Sequence, residues 1–216
     1  MPALFPRWSN TIVRGALLLA ALTFVAVPVF LMGWVRTPMV TQQHQRPEQP
    51  VPFDHALHVH GLRIDCRYCH STVEHAASAG IPATQVCVPC HKPVWLASPQ
   101  FAPIRRSLAT GKPIVWRRVY RLPDFVFFNH AIHVEKGVGC ETCHGRVDRM
   151  HRIEQAVPLT MGWCLDCHRN PAPQLRPVEQ MTTMGWTPTM PQLALGRTLS
   201  HEYHVHRFTN CTACHR

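Results

Sequence analysis

The sequence predicts a chain of few short helices and loops with little sheet, behind one N-terminal transmembrane helix. Three observations predict it. All ten cysteines fall in five pentapeptides of the form Cys-x-x-Cys-His: CRYCH at 66–70, CVPCH at 87–91, CETCH at 140–144, CLDCH at 164–168 and CTACH at 211–215. Twenty prolines and eleven glycines in 216 residues interrupt the chain too often for long regular elements. Residues 15–35, GALLLAALTFVAVPVFLMGWV, make a run of 21 residues without a charge.

Three chemistries use cysteines at this spacing, and the residue after the second cysteine separates them. A structural zinc site needs two pairs, or one pair and two histidines, converging on one metal. A redox dithiol needs one reactive pair, usually on a βαβ scaffold. Covalent attachment of c-type haem needs two thiols for the two vinyl groups and a histidine directly behind them for the iron. At a background frequency of roughly 7%, histidine would follow all five pairs by chance on the order of once in a million. The expected cofactors are therefore five c-type haems. They are attached through Cys66, Cys69 and His70; Cys87, Cys90 and His91; Cys140, Cys143 and His144; Cys164, Cys167 and His168; and Cys211, Cys214 and His215. The fold class becomes a multihaem cytochrome c, its short helices and loops wrapped around haems. About 40 residues per haem leaves little chain for an independent core, so the cofactors should form much of the interior.

The net charge of +10 comes from nineteen arginines and three lysines against twelve acidic residues. No aromatic-basic motif or basic run supports nucleic-acid binding. Five haems carry about ten propionate charges, which arginine holds bidentately, so the basic excess largely cancels in the loaded protein.

The uncharged run is long enough to cross a hydrocarbon core of about 30 Å as a helix. A cleaved signal peptide would have a shorter apolar stretch, about 7–15 residues, and a small-residue cleavage site. Here the run ends Met32-Gly33-Trp34-Val35, with Trp34 where an interfacial anchor sits. Arg7 and Arg14, with no acidic residue nearby, orient residues 1–14 to the cytoplasm. The expected location is the bacterial inner membrane, single-pass, with the haem domain on the periplasmic side, where c-type haem is attached.

Residues 36–52, rich in Gln and Pro, read as a linker. A repeat follows: FDHALHV from Phe53, FNHAIHV from Phe128 and LSHEYHV from Leu199, each with its first histidine ten or eleven residues ahead of a haem motif. The periplasmic domain, 53–216, thus divides into a dihaem unit 53–91, a connector 92–127, a dihaem unit 128–168, a connector 169–198 and a monohaem half-unit 199–216.

Histidines three apart share one helix face, so each His-x-x-His can send two imidazoles to neighbouring irons. His55, His130 and His201 are the expected second ligands for the haems on His70, His144 and His215. His58 and His133 are expected to serve the haems on His91 and His168. His75, His151 and His204 are alternates; His44, His60 and His206 have no assigned role. Met150 and Met161 could ligate iron, but histidine is in surplus and packing is the better reading. The aromatic run Val115–Phe128 reads either as a short strand on haem faces or as a contact surface, since periodicity does not separate the two.

An iron with histidine on both sides has no position for a substrate and can only gain and lose electrons. The expected role is electron transfer, not catalysis. A multihaem reductase would need one haem with an open face. A stand-alone, membrane-anchored quinol dehydrogenase cytochrome of the NapC/NrfH kind would carry four haem motifs, often with a methionine after the first.

The segments WRRVYRLPDFVFFNHAIHVEKGVGCETCHG and LTMGWCLDCHRNP, behind one membrane helix and with five haem motifs, resemble the pentahaem cytochrome subunit of alternative complex III, within the cytochrome c7/c3-like multihaem class. The resemblance covers nearly everything from Pro52 onward. It implies a membrane complex in which polytopic subunits bind and oxidise quinol and an iron–sulfur subunit lies beside the pentahaem one. A monohaem cytochrome c then passes electrons to a soluble carrier or terminal oxidase. His60 and His206 are extra to the family pattern.

Overall fold

The structure, a computed structural model, describes residues 5–93 and 97–215; residues 1–4 of the N-terminal segment, 94–96 of the first connector and 216 of the last half-unit lie outside the described residues. The chain divides into two units, one ending at Gln42 and the other beginning at Gln43.

The first unit is built on α1 (Ser9–Trp34), 26 residues with none buried in the protein. At 1.5 Å per residue it is about 39 Å long, against a hydrocarbon core of about 30 Å. It is long and apolar enough to cross a membrane. The short α2 (Pro38–Thr41) follows, with Pro38 in its first turn and Gln42, in the left-handed region, ending it.

In the second unit, among the described residues, no strand forms; two isolated antiparallel bridges, Val126 with His215 and Val138 with Leu175, are the only pairing of that kind. Its helices are short: α3 (Cys66–Cys69), α4 (Val88–His91), α5 (Ala102–Thr110), α6 (His130–Glu135), α7 (Cys140–His144), α8 (Met161–Arg169) and α9 (Gln192–Glu202). The histidine-rich segment Ala56–Gly61 is a wider turn with π-type hydrogen bonding. Local chemistry sets where these elements start. Asp65 caps α3 by accepting from Arg67 N, Asn129 caps α6 through Ile132 N, and Thr160 caps α8 through Trp163 N. Prolines stand in the first turns of α4 and α5.

Two small apolar clusters hold this unit. Val51, Phe101 and Ile104 form one, joined by Cys87, Leu108, Ile114 and Trp116; Val73, Val134 and Met181 form the other. In the first, the buried Thr84–Ser107 hydroxyl bond of 2.7 Å fastens α5 to the turn leading into Cys87. From Gln43 on, the stretch read as a linker is itself part of the second unit. Val51 is in the cluster, His44 N donates to Gln155 O at 2.7 Å, Gln43 Nε2 donates to Ala156 O at 2.9 Å, and Arg46 pairs with Glu154. The run Val115–Phe128 forms no strand; Val126 makes a single bridge to His215.

α9 lies against the turn Ala172–Gln174, directly behind the fourth motif. Gln192 Nε2 donates to Ala172 O at 3.2 Å and Leu175 O at 2.7 Å. The contact requires glycine at 196, where an added Cβ would fall 1.9 Å from Ala172 O. Ala is favoured over Gly by about 1 kcal/mol in a helix interior. The backbone clash outweighs that gain, and Gly196→Ala is expected to lower stability by about 1–3 kcal/mol, read as a lower thermal midpoint in circular dichroism of the holoprotein.

Candidate haem-binding sites

In a helical turn, positions i, i+3 and i+4 face the same way, so Cys-x-x-Cys-His presents two thiols and an imidazole to one side. Helical turns hold all four residues from cysteine to cysteine in α3 and the whole pentapeptide in α7; α8 carries the fourth motif from Cys164 to His168. None of the ten cysteines is joined to another in a disulfide.

The second histidines stand opposite. Ring centroids are 6.1 Å apart for His58 and His91, 6.4 Å for His130 and His144, and 6.0 Å for His133 and His168. Two imidazoles binding one metal from opposite sides at about 2.0 Å each hold their centroids roughly 6 Å apart. These three pairs therefore fit an iron between them. His70 lies close enough to His55 for its charge, after burial, to disfavour protonation of His55.

The hydrogen bonds fix which ring nitrogen is available. His58 Nδ1 meets Asp54 O at 2.7 Å, His70 Nδ1 meets Gly80 O at 2.8 Å, and His130 Nδ1 meets Ala77 O at 2.9 Å. His133 Nδ1 meets Asn129 O at 2.7 Å and His215 Nδ1 meets Phe125 O at 3.2 Å. A carbonyl only accepts, so each ring donates from Nδ1 and keeps the Nε2 lone pair for a metal. His55 differs: its Nδ1 is buried without a hydrogen-bond partner.

Burial sorts the histidines further. His55, His58, His70, His91, His130, His133, His144, His168 and His215 are half-buried, whereas His44, His60, His75, His151, His204 and His206 are exposed. His151 binds Asp54 Oδ2 at 2.8 Å and His44 binds Glu154 Oε1 at 3.2 Å, both at the surface. His201 is exposed as well. It lines a cavity of about 410 Å³ with Asn170, Ser200, Arg197 and Arg207. Apolar side chains near the motifs lie open too, among them Leu57, Tyr68, Ile81, Phe125, Phe127, Ile132 and Phe208. Such surface is what a large apolar disc would cover.

Spacing alone did not reveal the aromatic residues that hold these rings. Phe53 lies edge-on to His55 at 4.8 Å and stacks on His58 at 4.3 Å; Phe128 repeats this with His130 at 4.7 Å and His133 at 4.4 Å. The signal was present in the repeat, which reads Phe-x-His-x-x-His twice and has Leu199 in the third copy. Tyr120 packs on His144 at 4.5 Å, donates to Cys143 O at 3.3 Å and accepts from Ala156 N at 2.9 Å.

Burial, then the neighbouring His130, His70 and His55, holds the His144 imidazole down to about 4; burial, then His70 and His58, does the same for His55. Both rings are neutral near pH 7, as ligands must be. Between about 6.5 and 4 the unfolded chain takes up protons that these folded rings refuse, so stability falls as pH falls through that window. Ligation to iron would hold the same rings neutral in the holoprotein, which is therefore expected to melt at a lower temperature at pH 4.5 than at pH 7.5; a flat profile from 7.5 to 4.5 would contradict this.

The sequence pattern of the cytochrome c3 family matches residues 132–216. The chain is also similar to the multihaem cytochrome c subunit of menaquinone reductase from Nitratidesulfovibrio vulgaris, 36% identical over 127 residues, which is 58% of this chain and 59% of that protein. The chain thus spans about three fifths of that relative's length. The fold, mostly helices and loops with an N-terminal apolar helix, thus carries a segment similar to cytochrome c3 over residues 132–216.

Proposed function

We propose that this chain binds five c-type haems, one at each Cys-x-x-Cys-His motif, and relays electrons for a quinone-linked complex of the bacterial inner membrane, anchored by α1 with its haem domain on the periplasmic side. The observation that carries the reading is the set of imidazole pairs 6.0 to 6.4 Å apart, each including a second-side ring with its Nδ1 proton fixed on a carbonyl. When bound, haem supplies one-electron redox chemistry at iron. The residues determine what else happens there. His55 with His70, His58 with His91, His130 with His144, and His133 with His168 would each hold one haem iron and leave no place for a substrate. His201 is proposed as the fifth second-side ligand, with His215, because it precedes Cys211 by the ten residues that separate His130 from Cys140. The chain then moves electrons and transforms nothing itself.

The resemblance of Val115–Pro171 to the pentahaem cytochrome of alternative complex III supports placing the chain beside an iron–sulfur subunit, polytopic quinol-oxidising subunits and a monohaem cytochrome. Electrons would flow outward, from quinol to a carrier or oxidase. The similarity to a menaquinone reductase subunit favours a second reading, in which electrons run through the same relay toward menaquinone. The test is purification of the chain with its companions from native membranes, followed by mass spectrometry and two optical assays. Reduction of the oxidised complex by menaquinol supports the first direction; reoxidation of the reduced complex by menaquinone supports the second. Recovery of the chain without polytopic or iron–sulfur partners would contradict both.

A further inference from the structure

We infer that the five attachment sites form one unbranched file in the spatial order second, first, third, fourth, fifth motif, so that the sites on His91 and His215 are its two ends. This rests on the proposed haem at each motif and goes beyond it, since order along the chain would make the first motif an end and the second an interior link.

Four contacts set the order. His55 and His58 flank Phe53 at 4.8 and 4.3 Å, which puts the first site, on His70, beside the second, where His58 faces His91. The first and third sites are also joined directly: His130 Nδ1 donates to Ala77 O at 2.9 Å, seven residues beyond His70. Residues 181 and 182 span the same two motifs: Cys140 N donates to Met181 O at 2.9 Å and Thr182 Oγ1 to Asp65 Oδ2 at 2.9 Å. On the far side of the third site, Phe128 touches His130 and His133, which face His144 and His168. The fifth motif docks just ahead of that phenylalanine, through Phe127 N to Cys214 O at 2.9 Å and His215 Nδ1 to Phe125 O at 3.2 Å, and its partner His201 shares a cavity with Asn170, just behind the fourth motif, which sets the fifth site beside the fourth.

Burial gives an independent reading of the same order. Of the ten cysteines, the two that are exposed are Cys90 and Cys211, one at each end of the file. Electron donors and acceptors therefore have access at the second and fifth motifs.

The file is tested with two holoprotein variants, Cys66→Ser with Cys69→Ser and Cys87→Ser with Cys90→Ser, by intact mass and by electron paramagnetic resonance of the ferric state. Mass should read four haems in each. Removing the second site should leave the other four magnetically coupled to neighbours. Removing the first should free one low-spin signal, that of the stranded second site. The reverse pattern would overturn the order. A density map of the native holoprotein gives the same answer if a variant does not fold: the iron at His70 should lie between those at His91 and His144, and an iron at His91 between the other two would contradict the file. A native mass showing fewer than five haems would instead undercut the cofactor proposal, which keeps the two failures distinct.

Discussion

His133→Met is expected to raise the midpoint potential of one haem out of five, leaving the rest close to their native values. The His133 ring lies 6.0 Å from His168, stacked by Phe128. Exchanging imidazole for thioether removes electron density from ferric iron and favours the reduced state. Axial ligands span about 0.8 V in haem potentials, and this exchange should account for about 0.1–0.2 V of it. Spectroelectrochemical titration would show one component displaced. His151→Met is the control: His151 is exposed and bound to Asp54 at 2.8 Å, so its replacement should displace nothing. An equal shift from His151→Met, or none from His133→Met, would reverse the assignment between them.

Arg176→Ala is expected to cost about 3–5 kcal/mol, because it leaves Glu141 largely buried without its partner. Arg176 is 7% exposed. Its guanidinium donates to Glu141 Oε1 at 2.7 Å and Thr183 O at 3.1 Å and lies 5.2 Å from the Trp186 ring centre. Glu141 Oε2 also accepts from Gly185 N at 2.6 Å. Glu141 stands inside CETCH, so this pair ties the second connector to the third haem motif. For a unit of this size the loss corresponds to a thermal midpoint lower by roughly 10 °C, read by circular dichroism. Glu141→Gln, which removes the charge and keeps the shape, should cost less; an Arg176→Ala protein melting within about 2 °C of native would show that the pair is unimportant.

The contrast between these two residues shows what was legible in the sequence. The His-x-x-His repeats and Cys-x-x-Cys-His turns are local, governed by helical spacing and by caps such as Asp65, Asn129 and Thr160. Their histidines could be named from spacing, and so could the apolar helix. Glu141 and Arg176 are 35 residues apart and look like ordinary surface charges until the connector folds back. The bond from His130 to Ala77 O is equally nonlocal, and nothing in either segment announces it. Val115–Phe128 was ambiguous for a different reason. An aromatic run around a proline suits a strand and a covering surface alike, and the deciding contacts, Tyr120 on His144 and Phe127 on Cys214, come from elsewhere in the chain. His201 keeps the register of the repeat, yet its copy carries leucine where the others carry the clasping phenylalanine, and its ring lines an open cavity.

The most direct measurement is the intact mass of the protein purified from cells competent to attach c-type haem, with a pyridine haemochrome assay and thiol alkylation on the same sample. Five haems per chain and no cysteine open to alkylation is the predicted result. A mass short of five, with both thiols of any one motif alkylated, would contradict it.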